Sequence, residues 1–207
     1  ELGHGVHQFL AAKKQGHFNS STPLTVAETA SVFGEMMTFR NLLERSDKSQ
    51  KKYLLASKIE DMINTVVRQI SFFEFEKILH TERKIGELSS EKICEIWMET
   101  QSRSLGPNID LSGDYKYFWT YIPHFIHTPF YVYAYAFGDC LVNVLIQLFD
   151  ENHPNFKQLY LDLLKSGGSK HYSEVLSPFN INLKDKKSWD KGLSLITGLI
   201  DEFENTL

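Results

Sequence analysis

Apolar residues recur along the first fourteen positions at helical spacing. Val6, Phe9 and Leu10 predict an amphipathic helix over residues 1–14. Residues 16–22, rich in Gly, Asn, Ser and Thr, predict a loop, and Pro23 stands where a first-turn proline opens a second helix reaching about Glu44. After a polar break at residues 46–49, Leu54, Ile59, Ile63, Val66, Val67, Ile70 and Phe73 keep a 3.6-residue period, which predicts one long helix from Lys51 to about His80. Residues 90–103 read as a further helix with Ile93, Ile96 and Trp97 inward. The plainest loop is GPNIDLSGD, residues 106–114, followed by an aromatic segment broken by Pro123 and Pro129. Pro154 opens another helix to Lys165, and Trp189–Phe203 forms the last. No cluster of short alternating runs with hairpin turns occurs, so the predicted class is all-α.

Residues 130–149 are nearly continuous apolar sequence. Tyr131, Tyr133 and Tyr135 alternate as in a strand, but the run far exceeds a usual strand length. It is long enough to span a membrane, yet Asp139 sits at its middle, where a carboxylate costs roughly 2.5–3.5 kcal/mol on insertion scales. Tyr131, Tyr135, Asp139, Asn143 and Gln147 fall at successive i+4 positions. That pattern predicts a buried central helix with one polar stripe on a wet cavity, in a soluble protein with no membrane partner.

Composition narrows the function classes. The 207 residues carry a net charge of −4 with no basic run, which excludes an electrostatic nucleic-acid surface. Cys94 and Cys140 are too few for a disulfide framework and suit a reducing, cytoplasmic setting as small buried hydrophobes. No signal peptide is read at the start. The chain opens at Glu1 inside a predicted helix with no N-cap residue, which leads us to expect a fragment of a longer protein. Aromatic residues make up 13%, with nine tyrosines, an excess that needs a reason.

Candidate chemistry begins at the first residues, Glu1-Leu2-Gly3-His4. A histidine before Glu1 would complete H-E-x-x-H, in which residues four apart put two imidazoles on one helical face for one Zn²⁺ and the glutamate beside it as proton acceptor. Taken alone, E-x-x-H also fits a plain surface pair. Glu28, in Val26-Ala27-Glu28-Thr29-Ala30, lies on the second predicted helix, where thermolysin-like sites place a third ligand. It fits two other roles: a capping box with Thr25, or a solvated face shared with Glu35. Val32 and Phe39, within about 40° of it on a helical wheel, argue against the second.

ELGHGVH, VAETASVFGE and IPHFIHTPFYVYAYAFG together resemble the M3 family of zinc metallopeptidases, and in particular its oligoendopeptidase F branch. The resemblance runs over essentially all 207 residues, through the LLKSGGS segment and the closing WDKGL helix. It departs from the pattern at the first histidine, which would precede Glu1. The resemblance implies that residues 1–207 are the C-terminal part of the catalytic domain, with several hundred residues upstream. It implies Glu1 as general base, His4 and Glu28 as ligands of one zinc ion that activates a water for attack, and His124, Tyr131 and Tyr133 as donors to the oxyanion. The loop containing Gly106 would lie near the substrate.

Weaker candidates carry alternatives. His7 fits a group supporting the ligands or a partnered core histidine, Tyr135 the cavity or the core, and Glu35 a carboxylate orienting a ligand histidine. The implied activity is hydrolysis of short oligopeptides, with zinc weakly held or absent, and little turnover, in the chain as it stands. The implied partners are short peptides and the upstream half of the same polypeptide, with self-association through exposed channel walls. The competing class is a non-catalytic helical module that binds a peptide or protein.

Overall fold

The structure, a computed structural model, describes residues 2–207. In chain order the helices are α1 (Leu2–Gln15), α2 (Thr29–Arg45), α3 (Lys48–Ile63), α4 (Gln69–Arg83), α5 (Ser90–Leu105), α6 (His124–His127), α7 (Tyr133–Asp150), α8 (Phe156–Lys165), α9 (Tyr172–Leu176) and α10 (Lys186–Glu204). Short 3-10 segments and one π-helical turn, Asn64–Arg68, join them, and no strand occurs among the described residues. The fold is all-α, as the periodicity predicts. The chain divides into two compact units, Glu1–Met62 with Phe137–Leu207, and Ile63–Ala136.

In the first unit, α1 packs on α2 and α8. Most of α7 runs through its core and is apolar nearly all round, as a central helix must be. Leu141, Val144 and Leu145 meet Val26, Leu163, Leu164 and Phe179, while Val142 and Ile146 meet Met36, Phe39, Leu55 and Met62. The polar stripe differs from its prediction. Tyr131 precedes the helix, and the stripe is enclosed rather than wet: Asp139 is 5% exposed and Asn143 is fully buried. Their burial is met internally, since Asn143 Nδ2 donates to Asp139 Oδ2 at 3.1 Å. Gln147 Nε2 donates to Ser194 Oγ on α10 at 2.6 Å. No helix among the described residues is long and apolar enough to cross a membrane.

The second unit is built on an aromatic core. Phe72 and Phe75 of α4 pack with Ile96 and Trp97 of α5 and with Val132, covered by Tyr115, Trp119 and Phe125. Trp97 is fully buried because its indole N–H finds the Tyr115 carbonyl at 3.0 Å. The single period read from Lys51 to His80 breaks here. The π turn inserts one residue, so the buried face slips: Met62 and Val66 are inward, then Phe72 and Phe75, while Ile63, Val67 and Ile70 face solvent.

Candidate active site

The residues that the sequence and its family resemblance single out fall into two groups, one in each unit. In the first unit, His4 lies one turn into α1 and Glu28 stands immediately before α2, not within it. The helix begins late because Leu24–Val26 form a 3-10 turn, so Glu28 is the N-cap residue (φ −81°, ψ −5°). Its side chain makes no cap hydrogen bond, and the Thr25 capping box does not form. A carboxylate there is favoured by the unpaired N–H groups and dipole of the helix end. The next residue closes the turn, the Thr29 hydroxyl donating to the Val26 carbonyl.

His4 Nε2 and Glu28 Oε2 stand 3.3 Å apart. A direct charge-assisted hydrogen bond prefers about 2.7–2.9 Å. Two ligand atoms about 2.0–2.2 Å from one tetrahedral centre stand about 3.4 Å apart, so the spacing fits shared coordination. An imidazole nitrogen and a carboxylate oxygen suit zinc. Both side chains are partly exposed, leaving the face between them accessible. Among the described residues no cluster of three or more His, Cys, Asp and Glu side chains is placed to hold a metal. Glu1 lies outside the described residues.

Three close approaches fix this pair. A Cβ on Gly3 would sit 2.5 Å from the Ser31 nitrogen, so only glycine lets α1 meet the start of α2 this closely. A Cβ on Gly138 would meet Glu28 Cβ at 3.3 Å, so α7 backs the Glu28 stem. His7, one turn beyond His4, is 2% exposed and lies near the Ala27 carbonyl, although neither ring nitrogen makes a well-formed hydrogen bond. Burial holds its pKa below the usual histidine range, His4 adds to that shift, and the Ala27 carbonyl opposes it. Glu35 is farther along α2 and accepts a 2.5 Å hydrogen bond from the Lys58 ammonium. Lys58 and Glu35 also act on Asp139, whose pKa burial raises to about 6. The Glu35–Lys58 pair was not legible, because nothing local marks a lysine whose partner lies 23 positions away.

In the second unit, His124 opens α6 behind Pro123. Its ring stacks on Tyr131 with centroids 5.6 Å apart, and its Nε2 shares a 3.3 Å hydrogen bond with the Tyr135 hydroxyl. Tyr131 and Tyr135 meet edge to face at 5.4 Å. Tyr133 instead packs edge-on against Phe73 at 5.6 Å. The turn leading into the tyrosines is held by Glu76, which the sequence reading passed over. Phe130 has a positive φ of 61°, and its N–H donates to the buried Glu76 Oε1 at 2.8 Å. Burial raises the Glu76 pKa and that N–H opposes the rise. Gly106 caps α5 with φ 75°, a left-handed conformation that favours glycine, at the start of the predicted loop. Cys94 and Cys140 are free and buried.

Comparison with known proteins gives the family of the chain. The model of peptidase family M3 matches residues 1–195. The oligopeptidase PepF of Bacillus subtilis (strain 168) is 30% identical over 210 residues, covering 100% of this chain and 31% of its own length. An oligoendopeptidase F homolog of Borreliella burgdorferi is also 30% identical, covering 99% of this chain and 35% of its own. The crystal structure of oligoendopeptidase-F from Enterococcus faecium superposes with a TM-score of 0.83 at 25% identity, over 99% of this chain and 38% of that one. The chain therefore spans about a third of the length of these relatives.

Proposed function

The chain belongs to peptidase family M3, and from that premise we propose that it forms the C-terminal catalytic part of a cytoplasmic zinc metalloendopeptidase acting on short oligopeptides. The observation that carries this reading is the 3.3 Å spacing of His4 Nε2 and Glu28 Oε2. These two side chains would hold the zinc together with a histidine preceding Glu1. The metal, when bound, supplies a Lewis acid and draws the pKa of water toward about 7. Glu1 accepts the proton of the attacking water and passes it to the leaving amine. His124 and the tyrosines beside it donate hydrogen bonds to the oxygen on which negative charge develops. Each such donor is worth about 2.7–4 kcal/mol in a water-excluded site. Tyr131 and Tyr135 touch the His124 ring, and Tyr133 packs on Phe73. The tyrosine excess has its reason here, since a phenol packs as an aromatic ring and still donates. Free, buried Cys94 and Cys140 support the cytoplasmic setting.

Two protein ligands seldom retain zinc. The chain as it stands is therefore expected to cleave little, and a chain extended upstream through one histidine is expected to bind about one zinc and cleave a quenched fluorescent peptide. Cleavage should be lost in Glu1→Gln. Absence of zinc and cleavage in both chains would replace this reading with the non-catalytic binding module.

A further inference from the structure

A cavity of about 350 Å³ in the second unit lies beside His124, lined by Asn64, Arg68, Gln69, Phe72 and Tyr121 among others. Its volume is at the lower end of small-molecule sites, about 300–1,000 Å³. We propose that this cavity binds a carboxylate of the peptide substrate, with Arg68 as the anchoring cation. The proposal deepens the peptidase reading and rests on it for the identity of the ligand as substrate.

Four observations carry it. First, Arg68 has no ion-pair partner among the described residues, whereas Arg40 forks onto Asp150 at 2.7 and 2.8 Å and Arg103 meets Glu74. None of the described residues that line the cavity is acidic. Second, the guanidinium carbon lies 5.3 Å from the centre of the Phe72 ring. A cation held on an aromatic face keeps its edge donors available, and the planar fork matches a carboxylate's two oxygens. Third, Gln69 Oε1 is buried without a hydrogen-bond partner. That orphan acceptor needs an N–H, which the backbone of an extended peptide supplies next to its own carboxylate. Fourth, the π turn Asn64–Arg68 and the Gln69 that follows it bring Asn64, Arg68 and Gln69 together onto the cavity wall.

Because His124 shares the cavity wall, the bound carboxylate would lie beside His124. Two sources have this chemistry, the C-terminal carboxylate of a short peptide and an Asp or Glu side chain. A subsite for the chain end would give a physical reason for preferring short peptides to the interior of a protein.

Titration calorimetry on the chain as given tests the proposal without requiring turnover. The probes are an alanine-based hexapeptide with a free C-terminus, its C-terminal amide, and that amide carrying one internal glutamate. Either carboxylate-bearing peptide should bind about tenfold or more tightly than the plain amide, the size expected for a charge-assisted hydrogen-bonded pair. Whichever of the two does so names the source. Arg68→Gln should reduce the discrimination to about twofold or less, and Arg68→Lys should keep part of it. The Arg68 side-chain N–H resonance of the unmodified protein should shift with the tight ligand, which tests the contact even if Arg68→Gln fails to fold. Equal binding of all three peptides, or binding of none, overturns the proposal. Discrimination without cleavage by the histidine-extended chain keeps the subsite and removes the peptidase reading. Cleavage without discrimination does the reverse.

Discussion

Asp139 shows how far one buried carboxylate can set a pH profile. Burial raises its pKa from 3.8 to about 6, opposed by Lys58 and the Asn143 hydrogen bond and assisted by Glu35. Below about pH 3 the group is neutral in both folded and unfolded chains. As pH rises through 6, the unfolded chain has already released the proton that the folded one retains, so stability falls and levels off above about pH 7. The shift corresponds to a loss on the order of 3 kcal/mol. Asp139→Asn should therefore gain that much on the unmodified protein between pH 4 and 7.5 in urea unfolding, and a pH-independent difference would refute the assignment. Other residues differ in how much the sequence reveals of them. That His4 and Glu28 belong together was legible only through the family resemblance, since E-x-x-H alone also fits a plain surface pair. Which tyrosines meet the His124 ring was not legible, since a string of alternating tyrosines does not say it. Glu76 was not legible, as the hydrogen bond it accepts comes from the Phe130 N–H, 54 positions away.

Elements show the same division between local and distant causes. Helices α1, α5 and α10 fall close to their predicted positions because their apolar stripes and end signals are local. The late start of α2 was missed because the Leu24–Val26 turn resembles a helical first turn in sequence. The long helix read through residue 70 was misphased by the π turn, an insertion that leaves composition unchanged. A paired substitution on α1 isolates what close packing requires there. Gly3 faces the Ser31 backbone with no room for a methyl group, whereas nothing lies within 4 Å of a Cβ on Gly5. Gly5→Ala should stabilise by about 0.5–1 kcal/mol through helix propensity. Gly3→Ala should destabilise by about 1–3 kcal/mol as the helices are forced apart. Similar melting temperatures for the two variants would contradict the packing.

At the scale of the whole molecule, an apolar row remains open on α1. Leu2, Val6 and Phe9 recur on one helical face and are all exposed, Phe9 at 64%. Such a row favours association, and light scattering should show mass rising with concentration, reduced in Phe9→Glu. A constant monomer mass would count against it. The two-unit division carries a consequence for synthesis. Ile63–Ala136 is one continuous stretch, whereas the other unit needs both ends of the chain. Glu28 and the α7 glycine that backs it are separated by about 110 residues, or about 5–20 seconds of translation at roughly 5–20 residues per second. On the ribosome, His4 and Glu28, made first, wait for a helix made much later, and the inserted unit can complete its fold in the interval.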